Sequence, residues 1–575
     1  MKRRKAKKYY WIIASVSAVV ITIVGLVVFG LSQTQPSSNE PTKLETPKNF
    51  EYTMNVTLKK ETEHLLSWEI ANHATEYKIL IKGETDETSI EKEVDKHTQE
   101  YNIADFVTKD ENYTVSLVAL GDEEKYLTSN PTEITFKAET ATKGLSYEKL
   151  KEGYEVSRGK AGASSRIVMP DTYDCEPIIK ITDNAFGAPM SSDPTMKSVR
   201  FPSGLQEMGE FAFANCMYLD NVILPETATQ IGAQAFRGCS SLKNICLPSE
   251  LKVLPMNCFM NCDSLKNIAL PEKLERIEKG AFSNCSGLKG IDLPETLTYI
   301  GACAFQNTTF TKIKIPDSVK YIGDSAFSQE ILLGENARGL ETFEFSENLR
   351  LDFMDENVFH GTKWYEAQPD GYIVFNNMLY RYKGEMPENT EITSFPEGIT
   401  RIAAGAFYKC KNIVSIVLPD GLEEINKSMF EQCSSLQTIQ IPNSVTVIGE
   451  NAFGDCTSLK EVQLPNGVKK IGANAFAYCE SLKEIIFPDG LEEIGDYSFR
   501  SCKGLTNVYY KGSMEDWSKI TIDEIDAFAY TTVTIYYYSE TEPPLNSDGT
   551  GYDGNYWYYD ENCVPVVWEY NSTEE

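Results

Sequence analysis

Cysteine, histidine and carboxylate are the side chains of this 575-residue chain that could attack a substrate or hold a metal, so their spacing comes first. Nine of the fourteen cysteines fall on one step of 23 residues: Cys216, Cys239, Cys262 and Cys285, then Cys410, Cys433, Cys456, Cys479 and Cys502. In an exported chain such a number ordinarily suggests disulfides. Equivalent residues of stacked strands, however, lie about 4.8 Å apart with parallel Cβ directions. That is a poor fit to a disulfide dihedral of roughly 90°. The column reads instead as small buried hydrophobes with weak S–H donors. Cys258 and Cys262 have no second ligand pair at a spacing that suits zinc.

The four histidines do not add a reaction centre. His64 and His73 read as exposed residues flanking strands, His97 lies in the same stretch, and His360 has no nucleophile pattern beside it. Carboxylates are abundant, yet repeated ones such as Glu423-Glu424 and Glu492-Glu493 occupy solvent positions. Asp548, Asp553 and Asp560 in a Gly-rich tail are the local candidates for oxygen ligands to calcium, with a plain flexible turn as the other reading. Phosphate-cradling loops and metalloprotease motifs do not occur. No catalytic residue, metal ligand or cofactor is therefore expected. A formal net charge of −30 without a basic stripe argues against nucleic acid as a partner.

The cysteine step belongs to a repeat that must position everything else. Pro202, Pro225, Pro248, Pro271 and Pro294 keep it, and so do Pro396, Pro419, Pro442, Pro465 and Pro488. Phe213, Phe236, Phe259, Phe282 and Phe305 keep it too, resumed as Phe407, Phe430, Phe453, Phe476 and Phe499. A fixed period of about 20–50 residues means one supersecondary unit stacked on copies of itself. Such a unit is stable only through its neighbours. In Leu242-Lys243-Asn244-Ile245-Cys246-Leu247-Pro248 the Ile-x-Leu alternation is a short strand with one face in and one out. The proline ends it, being unable to donate to a ladder. An apolar pair such as Tyr321-Ile322 before Gly323 turns the chain, and Ala-Phe plugs the interior from the opposite wall. Stacked copies predict a solenoid with a parallel strand ladder on one face and short helical or 3-10 turns on the other.

This pattern resembles the BspA-type leucine-rich repeat family, whose consensus runs close to LPxxLxxIGxxAFxxCxSLKxI. Ser444 to Ile448 and Asn451-Ala452-Phe453-Gly454-Asp455-Cys456-Thr457-Ser458-Leu459-Lys460 follow it closely. The resemblance covers residues 144–538. Leu145 to Pro170 resembles an N-terminal cap, Val508-Tyr509-Tyr510-Lys511-Gly512 and Glu515-Asp516-Trp517 the closing segment, and Phe186, Phe359 and Phe528 degenerate Ala-Phe positions. Residues 328–395, with Trp364-Tyr365 and Tyr380-Arg381-Tyr382-Lys383-Gly384, read as a variant repeat with an insertion.

Ahead of the repeats, residues 1–10 form a basic tail, with Lys2, Arg3, Arg4, Lys5, Lys7 and Lys8. The uncharged run Trp11 to Leu31 would span roughly 30 Å as a helix, the thickness of a bilayer core. It predicts a transmembrane signal-anchor with the lipid bilayer as a partner. A cleaved signal peptide is the rival reading, although such a core usually has about 7–15 residues. By the positive-inside rule the bulk of the chain lies outside a cell membrane, or is secreted if the segment is cleaved. Residues 32–45 read as a disordered spacer. Over 46–138, the runs Leu65-Leu66-Ser67-Trp68-Glu69, Tyr77-Lys78-Ile79-Leu80-Ile81 and Tyr113 to Ala119 alternate at sandwich spacing. They resemble an all-β fibronectin type III module, with Trp68 as its core tryptophan and Tyr113 as its corner tyrosine, and a spacer is its plainest role. The aromatic tail, 539–575, places Tyr556-Trp557-Tyr558-Tyr559 and Val564 to Trp568 in a two-stranded ribbon, read either as a cap or as a glycan-binding element.

Alternation along each strand points two columns outward. One runs Ile223, Cys246, Ala269, Asp292 and Lys314, resumed as Val417, Gln440, Gln463, Ile486 and Tyr509. Its neighbour runs Asn221, Asn244, Asn267, Gly290 and Lys312, resumed as Ser415, Thr438, Glu461, Glu484 and Asn507. Both vary while the inward residues barely change. Val417, Gln440, Gln463, Ile486 and Tyr509, with Trp557 and Trp568 of the tail, are the candidate ligand-binding residues. The resemblance implies a non-enzymatic bacterial cell-surface protein for adhesion to, or recognition of, host or neighbouring-cell macromolecules, with an extracellular protein or glycan as partner. Two alternatives stay open: a cell-wall or glycan-processing enzyme with its chemistry in the 328–395 insertion, and a purely architectural envelope protein.

Overall fold

The computed structural model describes residues 42–570, apart from 57–61, 87–88, 110, 123–124, 162, 188–194, 331–335 and 524–525. The single-pass membrane localisation expected from Trp11 to Leu31 is corrected. No helix among the described residues is long and apolar enough to cross a membrane, and residues 11–31 themselves lie outside the described residues. The helices among the described residues, Lys363–Glu366 and Met514–Trp517, have four residues each, whereas a bilayer core asks for about 20. The bilayer is withdrawn as a partner with that anchor.

Two antiparallel sheets face each other over residues 51–137. One has the order Ile90–Asp95, Glu76–Gly83, Asn112–Leu120, Thr132–Lys137, and the other holds Glu51–Val56, Thr62–Ser67 and Glu100–Asn102. Trp68, Tyr77, Ile79, Tyr113 and Val115 fill the space between them. The Tyr113 hydroxyl accepts the Lys109 amide N–H at 3.2 Å and the Tyr77 hydroxyl that of Ala71 at 2.6 Å. The second sheet does not stop at the sandwich. Glu51–Val56 pairs in parallel with Thr172–Tyr173, and the sheet continues through Glu176–Ile181 and Tyr154–Ser157 to Ser146–Lys149. The sandwich and the first repeats thus share one sheet.

Buried polar groups lock that seam. Asp171, 4% exposed, accepts the Met54 amide at 2.9 Å and the Arg200 guanidinium at 2.8 Å through Oδ2, and the Ser203 amide at 2.8 Å through Oδ1. Glu139 pairs with Arg166 and lies 3.7 Å from Arg200. Asn55, fully buried, accepts the Thr172 hydroxyl at 2.8 Å and donates to Glu63 at 2.7 Å. His64, expected at an exposed edge, is buried on Thr62–Ser67 with Nδ1 2.7 Å from the Tyr52 hydroxyl. Burial first, and then nearby Arg200, hold its pKa below the ordinary value.

In the repeats, Ile-x-Leu segments pair in parallel along one face, as in Asn221–Ile223 with Asn244–Cys246 and Ile413–Val417 with Thr438–Gln440. The opposite wall differs from the expected helical or 3-10 turns. The apolar pairs there are two-residue strands forming a second parallel ladder, in the order Val253–Leu254, Arg276–Ile277, Tyr299–Ile300, Tyr321–Ile322, Phe353–Met354 and again from Glu424–Ile425 to Thr521–Ile522. Where a glycine follows the pair, it lets the preceding turn come close: a Cβ on Gly449 would stand 2.7 Å from the Lys427 amide nitrogen. The Ala-Phe segment is a turn bonded to the next repeat, the Phe453 amide donating to the Ala475 carbonyl at 2.7 Å. It holds left-handed residues on both sides, Asn451 (φ 53°) and Asp455 (φ 57°), which stop helix propagation and explain the recurring Asn and Asp there.

Inside, the phenylalanines form a stack, with rings from Phe407 to Phe499 succeeding one another at 5.0–5.5 Å and nearly parallel. The cysteine column lies beside it as free thiols. Eight of the nine reach back to the preceding repeat: Cys456 donates to the Phe430 carbonyl at 3.1 Å and Cys479 to that of Phe453 at 3.2 Å. Burial pushes the Cys456 thiol well above its usual range. Replacing Cys456 by alanine is expected to lower stability by about 1–3 kcal/mol in urea unfolding. Thiol mapping of the denatured chain should find the column reduced, and a Cys433–Cys456 bridge would overturn this account.

The 328–395 stretch interrupts the stack without ending it. Gly371–Phe375 and Met378–Lys383 form an antiparallel hairpin whose second strand joins Arg401–Ile402 in parallel. The Phe ladder gives way there to an edge-on contact between Phe359 and Tyr380 at 5.4 Å. The interior divides at the same place, one core running from Leu145 to Ala403 and the other from Leu379 to Phe528.

Candidate functional site

Ile245, Ile313, Ile416, Ile439, Val462 and Ile485 point inward and are buried. Their alternation leaves Cys246, Ala269, Asp292, Lys314, Gln440 and Gln463 exposed, with Ile223 at 72% and Val417 and Ile486 half-buried. In the neighbouring column Asn221, Asn244, Asn267, Lys312, Thr438, Glu461 and Glu484 are exposed, while Gly290, Ser415 and Asn507 are half-buried. Register brings the candidates together in order: Val417 opposite Gln440, and Gln463 opposite Ile486.

Tyr509 departs from this column. It is 4% exposed, with its ring 5.3 Å from Trp557 and 5.6 Å from Tyr536. The tail explains this, because Tyr556–Tyr559 and Pro565–Val567 extend the same ladder beyond Thr534–Tyr538. Trp557 is fully buried and its indole donates to the Tyr510 carbonyl at 2.9 Å. Trp568 is half-buried and donates to the Ser539 carbonyl at 3.0 Å. Both indoles are thus engaged in the chain's own packing. Asp548 and Asp560 accept bonds from Thr550 and Val564 within their own turns, Asp553 accepts one from the Tyr556 hydroxyl at 2.8 Å, and no group of three or more His, Cys, Asp or Glu able to hold a metal occurs among the described residues.

Between Thr438–Gln440 and the Glu461–Gln463 segment the ladder opens. Among the described residues no backbone hydrogen bond crosses from 438–441 to 461–464. A groove of about 480 Å³ lies there, lined by Thr438, Ile439, Gln440, Ile441, Glu461 and Gln463. The Gln440 and Gln463 amides, each a donor and an acceptor, stand with the Thr438 hydroxyl and the Glu461 carboxylate over an isoleucine floor. Such a set can satisfy sugar hydroxyls or peptide groups. It lacks the paired nucleophile and base that covalent catalysis needs.

Sequence alternation found all four polar residues but not the opening, which depends on how two neighbouring copies meet. It also passed over the surroundings of His360 and Cys410, which line one cavity beside the inserted hairpin. Burial pushes the Cys410 thiol up to about 11, so it is protonated at neutral pH.

A model of the BspA type leucine rich repeat region matches in six copies, over residues 179–307, 252–367 and 385–509. No curated protein matches the chain. Among solved structures, the chain is similar to a leucine-rich repeat protein from Bacteroides ovatus at 25% identity, covering 68% of this chain and 98% of that one, with a TM-score of 0.26. A leucine rich cell surface protein from Faecalibacterium prausnitzii shares 24% identity, covering 66% and 97%, with a TM-score of 0.33. The pneumococcal vaccine antigen PcpA shares 19%, covering 70% and 93%, with a TM-score of 0.32. The matches indicate no catalytic family. With a family match over more than half of its residues, the chain belongs to the BspA type leucine-rich repeat proteins.

Proposed function

We propose that this protein is a non-enzymatic recognition scaffold that binds a glycan or an extended peptide on its strand face, in the service of adhesion to or recognition of macromolecules on another cell. The observation that carries this reading is the groove at Thr438, Gln440, Glu461 and Gln463. None of these four side chains has a hydrogen-bond partner among the described residues, although lysines and carboxylates elsewhere on the solenoid pair from repeat to repeat, as Lys469 does with Glu492 at 2.8 Å. Half-buried Val417 and Ile486 flank the polar groups and offer apolar contact area.

The N-terminal sandwich, 46–138, is best read as a fibronectin type III-like support. Its strand order, its buried Trp68 and the backbone bond to Tyr113 favour that identity. Residues 144–538 form the repeat body and 539–575 its closing cap, since Trp557 and Trp568 are spent on internal contacts. A glycan-processing role has less support, because the family match indicates no catalytic family.

Replacing Gln440, Gln463 and Ile486 together by alanine is expected to weaken ligand capture on a glycan and peptide array by about tenfold or more, as for loss of several central contacts. The unfolding temperature should stay unchanged. If binding survives that variant and disappears on deletion of residues 543–575, the tail is the binding element and this reading fails.

A further inference from the structure

The inserted hairpin builds a second concave site, unlike the strand face in charge. Its cavity, about 400 Å³, is lined by Arg381, Lys409, His360, Tyr365, Tyr382 and Tyr408 among others. Arg381 lies 6.0 Å from the centre of the Tyr408 ring and the Lys409 ammonium 4.7 Å from it. Lys383 adds a third cation at the wall. Its ammonium donates to the carbonyls of Tyr365, Glu366 and Gln368 at 3.0, 2.7 and 2.7 Å, which ties the hairpin to the short helix Lys363–Glu366.

What marks this cavity is that cations and tyrosine rings gather in one place. Several cations elsewhere meet a carboxylate one copy away, as Lys252 meets Glu275 at 2.8 Å and Lys312 meets Glu344 at 2.7 Å. Arg381, Lys383 and Lys409 meet none within ion-pair distance among the described residues, in a chain whose formal charge is −30. Lys409 occupies a left-handed position, φ 63°, that sister copies fill with residues as different as Asn261, Asn284, Gln432, Asp455 and Tyr478. Tyr408 stands where other copies hold residues ranging from Gly454 and Ala477 to Glu431 and Arg500, and it brings a ring to the wall of the cavity.

We propose that this pocket binds a saccharide bearing a carboxylate, with Arg381 and Lys409 taking the carboxylate and the tyrosines taking the sugar ring. Guanidinium matches carboxylate geometry with paired N–H donors. Tyrosine presents an apolar face and a polar tip in one side chain, as a sugar presents C–H faces and hydroxyls. The volume suits a small ligand. The acidity of the whole chain repels a long polyanion, which favours a short acidic sugar over nucleic acid.

The test uses the full-length chain and saturation-transfer NMR with two carboxylate probes, 3′-sialyllactose and a glucuronate-containing hyaluronan tetrasaccharide, against uncharged lactose. At least one acidic probe should bind, lactose should not, and affinity should fall as NaCl rises from about 50 to 300 mM. Arg381→Gln and Lys409→Glu should each weaken binding about tenfold or more. Lys409 is exposed on a turn, so its variant decides the matter if Arg381→Gln fails to fold. The Gln440, Gln463 and Ile486 triple variant should bind the probe as before, which separates this pocket from the strand face. Absence of binding by both acidic probes, equal binding of lactose, or full binding by Lys409→Glu would overturn the proposal.

Discussion

Phe453→Ala is expected to destabilise the second half of the solenoid by about 3–5 kcal/mol, the range for emptying a buried aromatic position. Phe453 is fully buried, with Phe430 5.5 Å away on one side and Phe476 5.0 Å away on the other. Its removal takes a ring from the middle of a stack, and each neighbour loses a contact face. Stability in such an array is the sum of copy and nearest-neighbour terms, so the loss should spread along the stack and fade with distance. Hydrogen exchange should therefore rise most from about residue 407 to 502, where the stacked rings run unbroken. It should change little before residue 370, because the two cores divide at Tyr380 and Leu379. Uniform loss of protection along the whole chain would show that the hairpin is no boundary.

Asp171→Ala is expected to cost a similar amount, about 3–5 kcal/mol, through a different cause. The substitution leaves Arg200 half-paired in a largely buried site and orphans the amides of Met54 and Ser203, which Asp171 now satisfies. An unmade buried bond costs more than a made one contributes. Since Met54 belongs to the sandwich and Ser203 to the repeats, the loss falls on the seam between them. Calorimetry should show the sandwich and the first repeats melting together in the parent chain and separately in the variant. Asp171→Asn, which keeps an acceptor but loses the charge, should fall between the two. A single transition at the parent temperature in Asp171→Ala would mean that strand pairing alone joins the two parts.

Much of the fold was legible before any coordinates. The inward Ile and Leu of each strand, the Phe stack and the Cys column all follow from a residue whose neighbours are its own equivalents 23 positions away. Copying makes the packing partner known in advance. The second ladder was less legible, because Tyr321-Ile322 is too short a run to show alternation and pairs as a strand only through the next copy.

What the tertiary structure alone decided are contacts between segments that are not copies of one another. Tyr509 matches its column in the sequence and is nevertheless covered, since Trp557 of the tail packs beside it. His64 looks like an edge residue until Glu51–Val56 and Glu100–Asn102 pair with its strand on either side. Lys409 and Arg381 come from a repeat turn and from a hairpin that interrupts the repeat, and only their approach makes a cationic pocket. A periodic contact costs little loop-closure entropy and is written into every copy, whereas an aperiodic one is chosen by whichever apolar or charged surface the stacked copies leave uncovered.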